Sequence, residues 1–221
     1  FAGSPRELPP EWRHEGPVIR ALRGQLATVS GKTHTVQFAF GALGTNPHWG
    51  TPHNPWDADE HRAPGGSSSG AGVSLWQGSA VAALGSDTAG SVRIPASWTG
   101  TVGVKTTFGR WSLDGIAPLS PSLDTAGVLT RSAEDAALVF ASLDPHVADP
   151  WAFLAECQRA EARQFTLGVC EWMFEGNSPG VGEAVKQALD ELAKAGARIV
   201  KVDVPNLIEL HELFRRGGIA G

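Results

Sequence analysis

Two clusters of small residues, Gly65-Gly66-Ser67-Ser68-Ser69-Gly70 and Asp87-Thr88-Ala89-Gly90-Ser91, are the part of this sequence best equipped for chemistry. A serine hydroxyl in a glycine-rich turn is a candidate nucleophile, and glycine lets the main chain approach one spot closely. Main-chain N–H groups gathered that way can hold the negative charge that develops on a carbonyl oxygen during acyl transfer. Between the clusters lies the apolar run Ala80-Val81-Ala82-Ala83-Leu84. Its length and glycine-rich flanks predict a buried strand with a tight turn at each cluster.

Taken singly, each cluster has a plainer explanation. Gly66-Ser67-Ser68-Ser69-Gly70 satisfies G-x-S-x-G with Ser68 central, the nucleophile elbow of an α/β-hydrolase esterase. That elbow needs a buried strand running straight into it. The residues before it, Trp56 to Pro64, are polar and end on proline. Glycine- and serine-rich turns that only pack closely are the structural alternative. Gly31-Lys32-Thr33 invites comparison with a phosphate-binding loop, but Leu26 stands where that pattern needs its first glycine. His34, His48, His53 and His61 lack the spacing of a metal motif and have no cysteines nearby, so polar loop histidines are expected.

The positioning elements follow from periodicity. Phe1 to Gly16, with Pro5, Pro9 and Pro10, reads as irregular; Val18, Leu22 and Leu26 make one stripe of a short helix, and Ala27 to Val29 a strand after it. Val36 to Trp56 is an aromatic loop region with turn signals at Asn46-Pro47 and Asn54-Pro55. Thr101 to Lys105 reads as a strand and Trp111 to Leu123 as a long loop. Ser132, with Asp135 three residues on, opens a helix whose apolar face is Ala136, Val139, Phe140 and Leu143. Phe165 to Cys170 is expected as a strand. Ser178 then caps a helix with Pro179 at its first position, Val181, Val185, Leu189 and Leu192 as the buried stripe and Gly196 at its end. With Arg198 to Val204 as the next strand, this is a parallel crossover unit, which places the chain in the α/β class.

Composition narrows the function classes. With 18 basic against 23 acidic residues and a net charge of −5, there is no basic stripe for nucleic acid. The longest apolar run is far short of a membrane span, and Phe1 opens no basic-then-apolar leader. Cys157 and Cys170 alone argue against a disulfide scaffold and for a reducing compartment. A soluble, cytoplasmic protein without membrane partners is expected.

Read together, the clusters resemble the amidase signature family, serine hydrolases of linear amides. The matching residues are Pro64 to Gly70, then Leu84 to Ser97, with Gly31-Lys32-Thr33, Phe38-Ala39-Phe40-Gly41 and Ser122-Leu123-Asp124-Thr125 as supporting flanks. The resemblance extends from Val18 to Asp144. It implies an α/β amidase-signature fold, a mixed central sheet flanked by helices, with residues 1–221 as a single domain truncated at both ends. It also implies a serine-serine-lysine triad without metal or cofactor. Ser91 matches the nucleophile, and Ser67 matches the bridging serine at a cis peptide. Thr88, Ala89 and Gly90 match the oxyanion loop. The family lysine belongs to a Lys-Asp pair that would precede Phe1; Lys32 and Lys105 match lysines outside the triad. Asp87 and Arg93 are expected to brace the turn as an ion pair. The implied reaction is hydrolysis of a linear, non-peptide amide, with a small-molecule amide as partner and a homodimer as an allowed assembly. The alternatives are a glutamine-dependent amidotransferase subunit, disfavoured by Ile94 where that type carries glutamine, a catalytically dead remnant, or the Ser68 esterase. Trp49, Trp98 and Trp111 suggest an apolar acyl group, and core packing explains them equally well.

Overall fold

The computed structural model describes residues 2–178 and 180–216. Within these, residues 2–155 and residues 156–216 form two compact units. The architecture is mixed α/β, with sheets flanked by helices, as the resemblance implied.

The first unit contains α1 (Pro17–Gly24), α2 (Ser69–Trp76), β1 (Ala82–Asp87), α3 (Arg93–Thr99), β2 (Val102–Lys105), β3 (Thr125–Thr130) and α4 (Ala133–Leu143). Its sheet has the order β1-β3-β2, with both pairs antiparallel. All six residues of the central strand β3 are buried. Because successive strand side chains point to opposite faces, β3 serves two cores. Leu129 packs with Ala71, Leu75, Val92 and Ala96 of α2 and the α3 region. Ala126 and Val128 join Trp111 and Leu143, with Val18, Leu22 and Phe140 closing that side. The Ser132 hydroxyl accepts the Asp135 N–H at 3.1 Å and so caps α4 as its spacing predicts.

Three expectations are corrected. The helix α1 stops at Gly24, and Leu26, with φ of 59° and 93 % exposed, leaves the apolar stripe. Ala27 to Val29 forms no strand, because no described strand lies alongside to supply its hydrogen bonds. The strand expected at Ala80 to Leu84 begins at Ala82 and runs on through Asp87, directly into the second cluster.

The second unit holds β4 (Thr166–Val169), α6 (Val181–Lys194), β5 (Arg198–Lys201) and α7 (Leu207–Arg215); α5 (Pro150–Arg159) crosses the boundary between units. β4 and β5 pair in parallel with Leu167 opposite Ile199, which is the expected crossover. Gly196 ends α6 with φ of 106°. Pro179 lies outside the described residues, and the helix begins at Val181 without a side-chain cap. Val181, Val185 and Leu192 are exposed rather than buried, because two short strands are too narrow to cover a helical stripe of fourteen residues. Among the described residues, no helix is long and apolar enough to cross a membrane.

Candidate active site

The second cluster is shaped by one carboxylate. Asp87, the last residue of β1, is fully buried. Its Oδ1 accepts the Gly90 N–H at 2.8 Å, and its Oδ2 accepts the Val92 and Arg93 N–H groups at 3.1 and 3.3 Å. The Arg93 guanidinium adds two bonds, at 3.1 Å through Nε and 3.0 Å through its terminal nitrogen. The last two main-chain donors open α3, so the carboxylate satisfies N–H groups that a helix start leaves unpaired. Burial pushes the Asp87 carboxyl up, but the bonds from Arg93, Val92 and Gly90 outweigh it and hold the group below the ordinary carboxylate range. Hydrogen bonding to Asp87 pushes the Arg93 guanidinium up in turn. The expected ion pair is therefore a turn-forming one.

Around that carboxylate the chain from Thr88 to Ser91 makes a tight arc. Gly90 has φ of 128°, and a Cβ there would lie 2.7 Å from the Ile94 side chain, so this bend admits glycine alone. The Gly90 N–H is given to Asp87, whereas those of Ala89 and Ser91 donate to no described residue. The Ser91 hydroxyl, half-buried, also has no hydrogen bond among the described residues. The Thr88 hydroxyl donates to Asp124 Oδ1.

The first cluster is pressed against the second. The Ser68 N–H donates to the Ser91 carbonyl at 3.2 Å, and a Cβ on Gly65 (φ 80°) would fall 2.8 Å from Pro95 Cα. The Gly66–Ser67 peptide is cis, as the resemblance implied. The Ser67 carbonyl is held by the Val36 N–H at 3.0 Å, the Thr35 hydroxyl at 2.9 Å and the Ser69 N–H at 2.8 Å. Its hydroxyl is buried and, like that of Ser69, unpartnered among the described residues. A buried hydroxyl without a partner is destabilising by about 1–3 kcal/mol, so its retention asks for a use.

The other candidates separate cleanly. Ser68 sits where an irregular segment meets α2, and its hydroxyl reaches only the Ser86 carbonyl at 3.4 Å. No strand enters this turn, so the context of a nucleophile elbow is missing. Among the described residues no group of three or more histidine, cysteine or acidic side chains is arranged to hold a metal ion. His53 and His61 stack on each other, with ring centroids 3.6 Å apart. Trp111 belongs to the core: it packs on Phe140, and its indole N–H donates to Asp144 Oδ2 at 3.0 Å. Trp49 and Trp98 remain 50 % and 42 % exposed.

Residue-by-residue reading overlooked Asp124 and Thr125. The Thr125 hydroxyl donates to the Asp87 carbonyl at 2.7 Å, beside the bond from Thr88 to Asp124. The available signal was a Ser-Leu-Asp-Thr run following a proline-bearing loop, noted only as a supporting flank.

A serine on a main-chain arc, in a turn bonded to one that carries a second, buried serine, is an arrangement able to support acyl transfer. The amidase profile matches residues 9–220, and the chain belongs to the amidase signature family. It is 53 % identical, over its full length and 47 % of the relative's, to 2-amino-5-chloromuconic acid deaminase of Comamonas testosteroni. It is 38 % identical to a glutamyl-tRNA(Gln) amidotransferase subunit from Anaeromyxobacter sp. strain K, across 90 % of this chain and 41 % of that one. A crystal structure of an amidase superposes with a TM-score of 0.84 at 34 % identity, covering 98 % of this chain and 47 % of the other. The chain thus spans about half the length of the curated relatives it matches.

Proposed function

We propose that this chain carries the acyl-transfer centre of an amidase that hydrolyses a linear, non-peptide carbon–nitrogen bond. Ser91 Oγ attacks the carbonyl carbon, and the Ala89 and Ser91 N–H groups take the charge that forms on its oxygen. Thr88 and Gly90 shape that arc. The Ser91 proton passes through the Ser67 hydroxyl to a lysine carried outside these 221 residues and returns to the nitrogen as the bond to carbon breaks. Water then attacks the Ser91 ester, releases the acid and restores the hydroxyl.

One observation carries this reading: the 3.2 Å bond from the Ser68 N–H to the Ser91 carbonyl, which sets the buried, unpartnered Ser67 hydroxyl in the turn against the nucleophile's turn. A hydroxyl is a weak nucleophile at neutral pH and needs a base within one relay, and the buried Ser67 hydroxyl, which has no other partner among the described residues, supports its use as that relay. The deaminase relative supports a small organic substrate over a tRNA-linked one, and Ile94 agrees with it. Two free thiols, Cys157 and Cys170, accord with a cytoplasmic setting.

The test is fluorophosphonate labelling of the natural polypeptide that contains this chain, followed by peptide mapping. The adduct is expected on Ser91 and is expected to vanish in Ser91→Ala. An adduct on Ser68, or none at all, overturns the assignment.

A further inference from the structure

The Thr88 and Asp87 bonds to β3 form a two-point clamp that the acyl-transfer chemistry does not itself explain. Asp124 and Thr125 are consecutive at the start of β3, and Asp87 and Thr88 are consecutive at the end of β1, with Asp87 directly opposite Thr125 in the register. Thr125 donates its hydroxyl to the Asp87 carbonyl at 2.7 Å, and Thr88 donates its own to Asp124 Oδ1. Asp124 is buried, 5 % exposed, and its second oxygen accepts the Leu119 and Ser120 N–H groups at 2.9 and 3.0 Å. One carboxylate therefore ties the second cluster to the end of the Trp111–Leu123 loop.

We propose that Asp124 is a positioning residue for the candidate nucleophile's arc and that it acts through the Thr88 hydroxyl. This rests on the acyl-transfer reading above. The Ala89 N–H belongs to the peptide plane that starts at the Thr88 Cα. Holding the peptide on one side of Thr88 through Thr125, and the Thr88 side chain through Asp124, leaves that plane little freedom to turn. A donor preset toward the position of an oxyanion stabilises the transition state without reorganising, whereas a donor free to rotate gives up much of its effect. Asp87 cannot do this alone, because its side-chain oxygens reach Gly90, Val92 and Arg93 but not Ala89.

The experiment measures inactivation of the natural polypeptide by a fluorophosphonate probe, in which Ser91 Oγ bonds to phosphorus, fluoride leaves, and the serine proton passes to the base. Thr88→Val keeps the side-chain shape and deletes only the donor to Asp124. The limiting rate kinact is expected to fall about 10- to 100-fold with the half-saturating probe concentration unchanged, the range for a misaligned or weakened oxyanion donor. Thr88→Ser, which restores the hydroxyl, is expected to recover both the rate and the parental melting temperature, whereas Thr88→Val, which leaves Asp124 Oδ1 without its donor, is expected to melt a few degrees lower and is assayed well below that transition. A Thr88→Val protein that labels at the parental rate, or a rate that Thr88→Ser does not rescue, overturns the clamp while Ser91→Ala still abolishes labelling. Labelling that persists in Ser91→Ala overturns the underlying reading together with it.

Discussion

Replacing Asp87 by asparagine is the sharpest perturbation of this site, because the two side chains have the same shape and differ in what they offer to five donors. Oδ1 accepts from Gly90 and the Arg93 guanidinium, and Oδ2 from Val92, the Arg93 main chain and Arg93 Nε. Whichever way the amide turns, its NH2 group faces at least two N–H donors. A buried hydrogen bond to a charged acceptor contributes roughly 1.5–3 kcal/mol, and losing one partner leaves the other unsatisfied. The Arg93 side chain is 54 % exposed and recovers part of its loss in water, so the main-chain donors dominate. A destabilisation of at least about 3 kcal/mol follows, which for a chain of this size corresponds to a fall of roughly 6–12 °C in melting temperature. Thermal melting followed by circular dichroism reads the stability. Fluorophosphonate labelling below the melting transition reads the arc, and it is expected to be severely slowed, since Gly90 and Val92 lose the anchor that orders the segment between them. A variant that melts within about 2 °C of the parent, the scale of a neutral surface change, and labels normally would refute the claim that Asp87 organises this turn.

Acid sensitivity follows from the same carboxylate. The Asp87 and Asp144 carboxyls are both held below the ordinary value of 3.8 in the folded chain, against the push of burial, by hydrogen bonds from Arg93 and Arg110 respectively and from neighbouring N–H groups. A depressed folded-state pKa means that the stabilisation is complete above the unfolded-state value and is lost as pH falls through the folded one. The urea midpoint is therefore expected to be flat above about pH 5 and to drop below about pH 4, with a shallower drop in Asp87→Asn; a midpoint that rises on acidification would contradict the assignment. At the start of α4, Ser132→Ala removes the acceptor of the Asp135 N–H and is expected to lower stability by about 1 kcal/mol in urea unfolding.

How much was legible in the sequence depended on whether a signal was local. The α4 cap is a four-residue pattern, and Ser132 and Asp135 meet where their spacing says they should. The crossover of β4, α6 and β5 is legible for the same reason, since each element carries its own period. β3 was not seen at all: Thr125 to Thr130 is short, carries Gly127 at its centre and is buried on both faces, so no polar–apolar alternation marks it. The helices α2 and α3 were hidden by the very serines and glycines that read as turns, because helix formation there rests on tertiary burial rather than on propensity. At the site, the two clusters could be named from residue types, but their contact is a main-chain bond between residues 68 and 91, which no side-chain pattern encodes. Asp124 was legible only as part of a supporting flank for a related reason: its partner, Thr88, lies thirty-six positions earlier.

The arc from Thr88 to Ser91 takes its form from backbone amides gathered on a carboxylate behind it, and the Ala89 methyl group faces outward, exposed. The curvature of this short segment is thus set by atoms other than those of the side chain at position 89. Evolution, or an engineer, can enlarge or polarise the side chain at position 89 without touching the bonds that curve the chain there.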